Sequence, residues 1–411
     1  MKNRRATAQW PMTVLAVATL TLPLATNALG QTSATATFSQ MWMSWSETDI
    51  VRDDGLAPTG TALVEQTLAG EKLRLFYALD AGDYPSAGDW SFFEHNAGAV
   101  YRGTVNSSTR LFFSGSAWWR ANGESWQAAD YRGLSAAANL EHELRPTATL
   151  RAGYRLDARW FPELTAMDQL EHSGFVSAIT NLPSRTTLIG EALVGGKSYG
   201  GGMTTFDPVP AHSNTTSQGV GGYGARGRGL MLGSLTGSPI SIENAGLLAG
   251  QFTLFGRVAQ SLADRTGVHL EASRRFTFGD KAPAVIATPE LLFDDGVYDD
   301  PYASDAVTWR AGVKHIFARG IVVEGGVNRF DKHYTATLAL AADGEPVQGL
   351  ALRNDDIWQA DAACTVPLWP GRTGKTEFSL LVSYLFTDHA SNDAFYNYRS
   401  QGLGVGLSVK Y

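Results

Sequence analysis

The segment 147–161 reads TATLRAGYRLDARWF. Ala148, Leu150, Ala152, Tyr154, Leu156, Ala158 and Trp160 share one parity, and Thr149, Arg151, Arg155, Asp157 and Arg159 share the other. Successive side chains of a strand point to opposite faces, so this alternation describes one strand with an apolar face and a charged face. At about 3.3 Å per residue the strand is roughly 50 Å long. Strands of soluble sandwiches commonly run only ~5–6 residues.

The pattern recurs along the chain. Leu111, Phe113, Ala117 and Trp119 alternate with Arg110, Ser114, Ser116 and Arg120. Val268, Leu270, Ala272, Phe276 and Phe278 alternate with His269, Glu271, Ser273 and Arg275, and Trp358, Ala360, Ala362, Cys364, Val366 and Leu368 with Gln359, Asp361 and Thr365. Sixteen such segments are expected, the first two (33–48 and 58–68) weak, with 216–232 a further hairpin arm that, together with a partner strand, would bring the count to eighteen. Short connections such as Asn106–Ser108 and Pro183–Ser184 alternate with long ones at 122–129, 162–167, 200–245, 280–304, 337–353 and 390–397. An up-and-down meander with turns at one end and loops at the other has this rhythm.

The apolar face then needs a lipid partner. A 15-residue strand tilted ~40° rises roughly 38 Å, enough to cross a bilayer. Lipid cannot satisfy backbone N–H and C=O groups, so a sheet there must close on itself. The expected fold is all-β: a single transmembrane antiparallel barrel of about sixteen strands (14–18), with short periplasmic turns and long extracellular loops. Trp160, Trp119, Tyr101 and Trp309 fall near strand ends, where interfacial aromatics belong.

The first thirty residues differ. Lys2, Arg4 and Arg5 precede the apolar run MTVLAVATLTLPLATNALG, which ends in small residues. This is a secretory signal peptide over 1–30, leaving 31–411 as the barrel; Arg4-Arg5 lacks the rest of a twin-arginine signal. No later stretch approaches the ~18 apolar residues of a transmembrane helix. Loss of those three cations takes the formal charge from −7 to about −10, which argues against nucleic acid as a partner. A single cysteine, Cys364, excludes an internal disulfide and thiolate metal clusters.

The C-terminal GLGVGLSVKY places Leu403, Val405, Leu407, Val409 and Tyr411 on one face. It resembles the terminal strand of bacterial outer-membrane β-barrels of the porin-like or export type. That resemblance implies an outer-membrane location, contact with outer-membrane lipid, and reading of the strand ending in Tyr411 by the barrel-assembly machinery. A shorter resemblance lies at 389–392, HASN. It is similar to the His-x-Ser-Asn of outer-membrane lipid A deacylases, which implies His389 as base and Ser391 as nucleophile. Such a lipid hydrolase is the alternative to a channel, and a non-conducting adhesion barrel is a third. Against the hydrolase, His389 shares parity with the polar Ser383 and Thr387.

The polar faces carry the remaining chemistry. Arg74, Arg102, Arg110, Arg120, Arg151, Arg155, Arg159, Arg257, Arg275, Arg310 and Lys314 are expected to line the lumen, opposed by Glu94, Asp157, Glu191, Glu271, Glu324, Asp361 and Glu377. Rings of charge in a pore select by sign. Arg151, Arg155 and Arg159, four apart on one strand, form either an anion ladder or the cationic halves of cross-strand ion pairs. Loop 200–245, rich in glycine, is a candidate constriction, with Arg226 and Arg228 at its narrow point. Asp294, Asp295, Asp299, Asp300 and Asp305 form an acidic loop without the spacing of common calcium loops. No metal and no cofactor is expected. The expected function is a channel for small hydrophilic, anionic solutes, or an exit for a polymer.

Overall fold

The computed structural model describes residues 31–47, 52–68, 72–84, 90–123, 127, 129–206, 240–245, 247–281, 300–341, 346–369 and 376–410. The predicted signal peptide, segment 216–232, Arg226, Arg228, Asp294, Asp295, Asp299 and Tyr411 lie outside them.

The strands are β1 (Gln31–Glu47), β2 (Arg52–Leu68), β3 (Leu73–Tyr84), β4 (Trp90–Asn106), β5 (Thr109–Asn122), β6 (Tyr131–Arg145), β7 (Ala148–Trp160), β8 (Gln169–Leu182) and β9 (Thr186–Tyr199). Two short ones follow, β10 (Gly201–Phe206) and β11 (Ile240–Ala245). The series resumes with β12 (Leu248–Ala263), β13 (Thr266–Gly279), β14 (Ser304–Ile316), β15 (Val322–Leu338), β16 (Leu352–Trp369), β17 (Glu377–Ser391) and β18 (Tyr398–Lys410). All except β10 and β11 form one closed barrel of sixteen strands in chain order, each antiparallel to its neighbours. β9 pairs directly with β12, and β10 and β11 pair with each other as a separate two-stranded sheet. The extra strands beyond sixteen are therefore an insertion, and the barrel's sixteen match the segments that alternation marks.

Closure is made by β1 against β18, from Thr35↔Lys410 to Glu47↔Tyr398. This seam removes the sheet edges, so no ladder group is left to face lipid unpaired. The 13-residue β7 tilted ~40° rises roughly 33 Å, more than the ~25 Å apolar band of such barrels.

The outer face is the apolar one. Leu254, Leu270, Trp309, Val313, Val327, Trp358, Leu403, Val405 and Leu407 are all exposed large hydrophobics. For a water-soluble protein this would be an aggregating surface; in a bilayer it is the solvated one. Trp119, Trp160, Trp309 and Tyr101 are exposed on it as well. Its scattered polar groups satisfy one another: Tyr77 Oη and His95 Nδ1 are 2.6 Å apart, and His95 stacks on Trp119 with ring centroids 3.9 Å apart. The fold is thus a transmembrane up-and-down barrel with turns such as 107–108 and 146–147 at the periplasmic end and the longer connections after β7, β13 and β15 at the other.

Candidate functional site

The inner wall is built by the second parity of every strand. Arg74, Arg102, Arg110, Arg120, Arg151, Arg155, Asp157, Arg159, Glu191, Arg257, Glu271, Arg275, Arg310, Lys314, Glu324, Asp361 and Glu377 each sit one residue out of phase with the exposed apolar set, and so point inward.

Most of these charges are occupied. Arg110 and Arg151 converge on Glu141, at 3.2 Å and 2.8 Å; both are its register partners on the adjacent strands. Arg155 Nε lies 2.5 Å from Asp157 Oδ2, two residues along the same face. Arg74 pairs with Glu65 at 3.0 Å, Arg257 with Glu271 at 3.4 Å and Lys314 with Glu324 at 3.4 Å. Arg120 is buried, 3.7 Å from Glu94 and 4.0 Å over the Phe92 ring. Arg159 lies 4.7 Å over the Tyr131 ring, and Tyr131 Oη donates to Glu94 at 2.9 Å. Arg275 donates to Ser304 O and Oγ. Arg151, Arg155 and Arg159 thus share one face of β7 while carrying a carboxylate, a carboxylate and an aromatic ring respectively. Among the described residues Arg102 and Arg310 have no carboxylate within ion-pair distance; Arg102 lies 6.0 Å over the Phe112 ring.

At the loop end two knots fold inward. In the first, a turn at Pro301–Ala303 enters the barrel from the loop before β14. Asp300 accepts from Lys197 Nζ at 2.7 Å and from Tyr199 Oη at 2.5 Å, and caps the turn by accepting from Tyr302 N at 3.0 Å. Tyr302 is 1% exposed and donates to Glu171 at 3.1 Å. Its hydroxyl occupies the space that a Cβ at Gly195 would need. Asp300 is therefore a structural anion, and Asp305 is likewise spent, accepting from Thr277 N and Oγ1. No cluster of metal-ligating side chains occurs among the described residues. In loop 200–245, the described portion is the β10–β11 sheet.

The second knot gathers Arg353, Asp355, His389 and Ser391. Arg353 donates to both oxygens of Asp355, at 3.0 Å and 2.5 Å, and its guanidinium lies 3.2 Å over Tyr396 and 4.4 Å over Tyr334. Ser391 Oγ donates to Asp355 at 2.7 Å and accepts from Asp393 N at 3.0 Å. His389 Nε2 is 3.1 Å from the other Asp355 oxygen but out of line for a hydrogen bond. Nucleophilic activation needs the base to take the hydroxyl proton. Here histidine and serine address the same carboxylate rather than each other, inside the barrel and away from lipid. The pair named by the HASN resemblance is a brace at the loop end of the wall, joined to the neighbouring segment by Ser391 accepting from Asp393 N and Leu340 N donating to Asp393 at 3.1 Å.

The inner wall also carries aromatic residues absent from the predicted lumen set. Phe112 and Trp118 point inward beside the outward Phe113 and Trp119, and Phe175, Phe255 and Phe330 do the same on other strands. The doublets Phe112-Phe113 and Trp118-Trp119 were the available signal, since one member of each must face the charged side.

No family model and no curated protein matches the sequence. Solved structures do match. Acinetobacter baumannii OccAB1 is 8% identical, with 94% of this chain and 98% of that chain covered at a TM-score of 0.50. The outer membrane protein OpdK of Pseudomonas aeruginosa is 8% identical, over 93% and 100% of the two chains, at 0.45. P. aeruginosa OccK5 (OpdH) is 10% identical over 93% and 98%, at 0.46. At such identities the likeness is one of fold.

Proposed function

We propose that this chain is an outer-membrane channel through which small hydrophilic solutes diffuse. One observation carries the reading: a closed sixteen-strand barrel whose inner face is charged and hydroxylated along its length while its outer face is apolar. Barrels of 16–18 strands are too wide for their own wall side chains to fill and leave an aqueous passage. The two knots reduce that passage at the loop end, which favours small solutes over an exported polymer. Delivery through the signal peptide and insertion through the C-terminal strand complete the reading, with β18 as the strand that closes the seam.

Sign selectivity belongs to charges without an internal partner. Asp157 answers Arg155, and Glu141 answers one of the two charges of Arg110 and Arg151, so the cationic side of the selectivity rests on Arg102, Arg310 and the charge Glu141 leaves over, against Glu191, Asp361 and Glu377, which have no cation within ion-pair distance among the described residues. Single-channel recording in planar bilayers tests both statements. Steady open currents are expected, with a reversal potential shifted toward cations in Arg310→Gln and unchanged in the paired Arg151→Gln/Glu141→Gln, which removes one charge of each sign. Absence of current, or a larger shift from the paired variant than from Arg310→Gln, would refute the assignment.

A further inference from the structure

At mid-height the wall between β12 and β15 is hollowed into a recess of about 170 Å³. Its two ends are aromatic. Phe255 pairs in register with Ser273, Ser273 with Thr308, and Thr308 with Phe330, so the two phenyl side chains stand three strand steps apart with a floor of hydroxyls between them. Three steps of about 4.8 Å separate their backbones by roughly 14 Å, which leaves room between the inward rings for one ring-sized guest. The volume agrees, being well below the roughly 300–1,000 Å³ of drug-sized sites.

The next inward row adds planar polar groups. Arg310 is the register partner of Glu271 on one side and of Asn328 on the other, and all three line the same hollow. Glu271 is engaged from its far side by Arg257 at 3.4 Å, with His269 at 3.9 Å. It retains lone pairs for accepting. Arg310 offers donors with no carboxylate in ion-pair range among the described residues. Carboxylate, guanidinium and side-chain amide each present two adjacent hydrogen-bonding atoms in a plane, a match for vicinal hydroxyls. An anionic guest would meet Glu271, and a cationic guest would meet Arg310.

The geometry points to a binding subsite for a neutral, hydroxyl-rich ring, a saccharide unit held between Phe255 and Phe330 and hydrogen-bonded by Glu271, Arg310 and Asn328. It rests on the channel reading and names a solute class for it. The subsite acts by stacking: the apolar ring faces of the sugar are desolvated by the phenyl groups while its equatorial hydroxyls keep polar partners.

The test uses the full-length barrel in planar bilayers, with D-glucose and maltose as probes, L-phenylalanine as a zwitterion and benzoate as an anion. Saturable block of the ion current by the sugars is expected, stronger than by either other probe. The half-blocking concentration should rise at least roughly twofold in Phe255→Ala and in Phe330→Ala, the lower bound for loss of one ring contact. Arg310→Gln, at an exposed side chain, should weaken the block in the same direction, while Ser116→Ala on β5, across the barrel, should leave it unchanged. A barrel that conducts but is blocked by neither sugar overturns the saccharide assignment alone, as does block that persists undiminished in all three recess variants. A barrel that carries no ion current overturns the channel reading and the subsite with it.

Discussion

Asp300→Ala removes the shared acceptor of the first inward knot. Lys197 and Asp300 have side chains only 2% and 5% exposed, and Tyr199 Oη and Tyr302 N use the same carboxylate. Deleting one partner of a buried pair leaves the other charge desolvated, at about 3–5 kcal/mol. At 1.4 kcal/mol per tenfold, that shifts the balance between docked and released turn by a factor on the order of 10²–10³. The cost falls on the docked turn at Pro301–Ala303 rather than on the barrel, whose ladder hydrogen bonds are untouched. Tyr302, 1% exposed when docked, should therefore become a chymotrypsin site in intact outer membranes, because cleavage tracks the population of the open form. Single-channel conductance should rise as the turn leaves the lumen. Lys197→Met/Asp300→Leu should restore most of the protection, since apolar replacement of a buried pair is often neutral or stabilising. Protection of Tyr302 in Asp300→Ala equal to that in the parent, or a double variant cleaved faster than the single one, would refute this account.

Leu270, exposed on the outer wall, should cost about 2–4 kcal/mol when replaced by arginine near the membrane midplane, measured by urea titration in lipid vesicles. Thr253→Arg, of opposite parity on the adjacent strand, should cost much less. Gly98→Ala would bring a Cβ to 2.5 Å from Gly115 O and 2.6 Å from Phe76 Cζ; the overpacking should lower stability by about 1–3 kcal/mol in the same titration.

Several of these sites were readable in advance and others were not, for reasons that differ residue by residue. The parity of Leu270 follows from its neighbours, since a strand fixes which side chains share a face whatever it pairs with. Asp157 lies two residues from Arg155 on that same face, so their ion pair was implicit in the local order. Glu141 is different. Its capture of Arg110 and Arg151 depends on the register of β6 against both β5 and β7, and a slip of two residues between β6 and β7 would have set Asn139 or Glu143 opposite Arg151 instead. The recess likewise needs Phe255 and Phe330 on one cross-strand row, although they are far apart in the chain. His389 and Ser391 illustrate the converse: a four-residue likeness suggested chemistry, and the neighbour Asp355, supplied by another strand, turned both side chains into structural ligands of a carboxylate.

Alternation and strand length by themselves determined a membrane-spanning barrel, its sixteen staves and the identity of its wet face, because lipid forbids unpaired backbone and admits only one parity of side chain. Which of the inward charges remain free, and which loop enters the lumen, was decided by the closed tertiary structure, because those outcomes are set by contacts between strands and loops whose register and path no local pattern encodes.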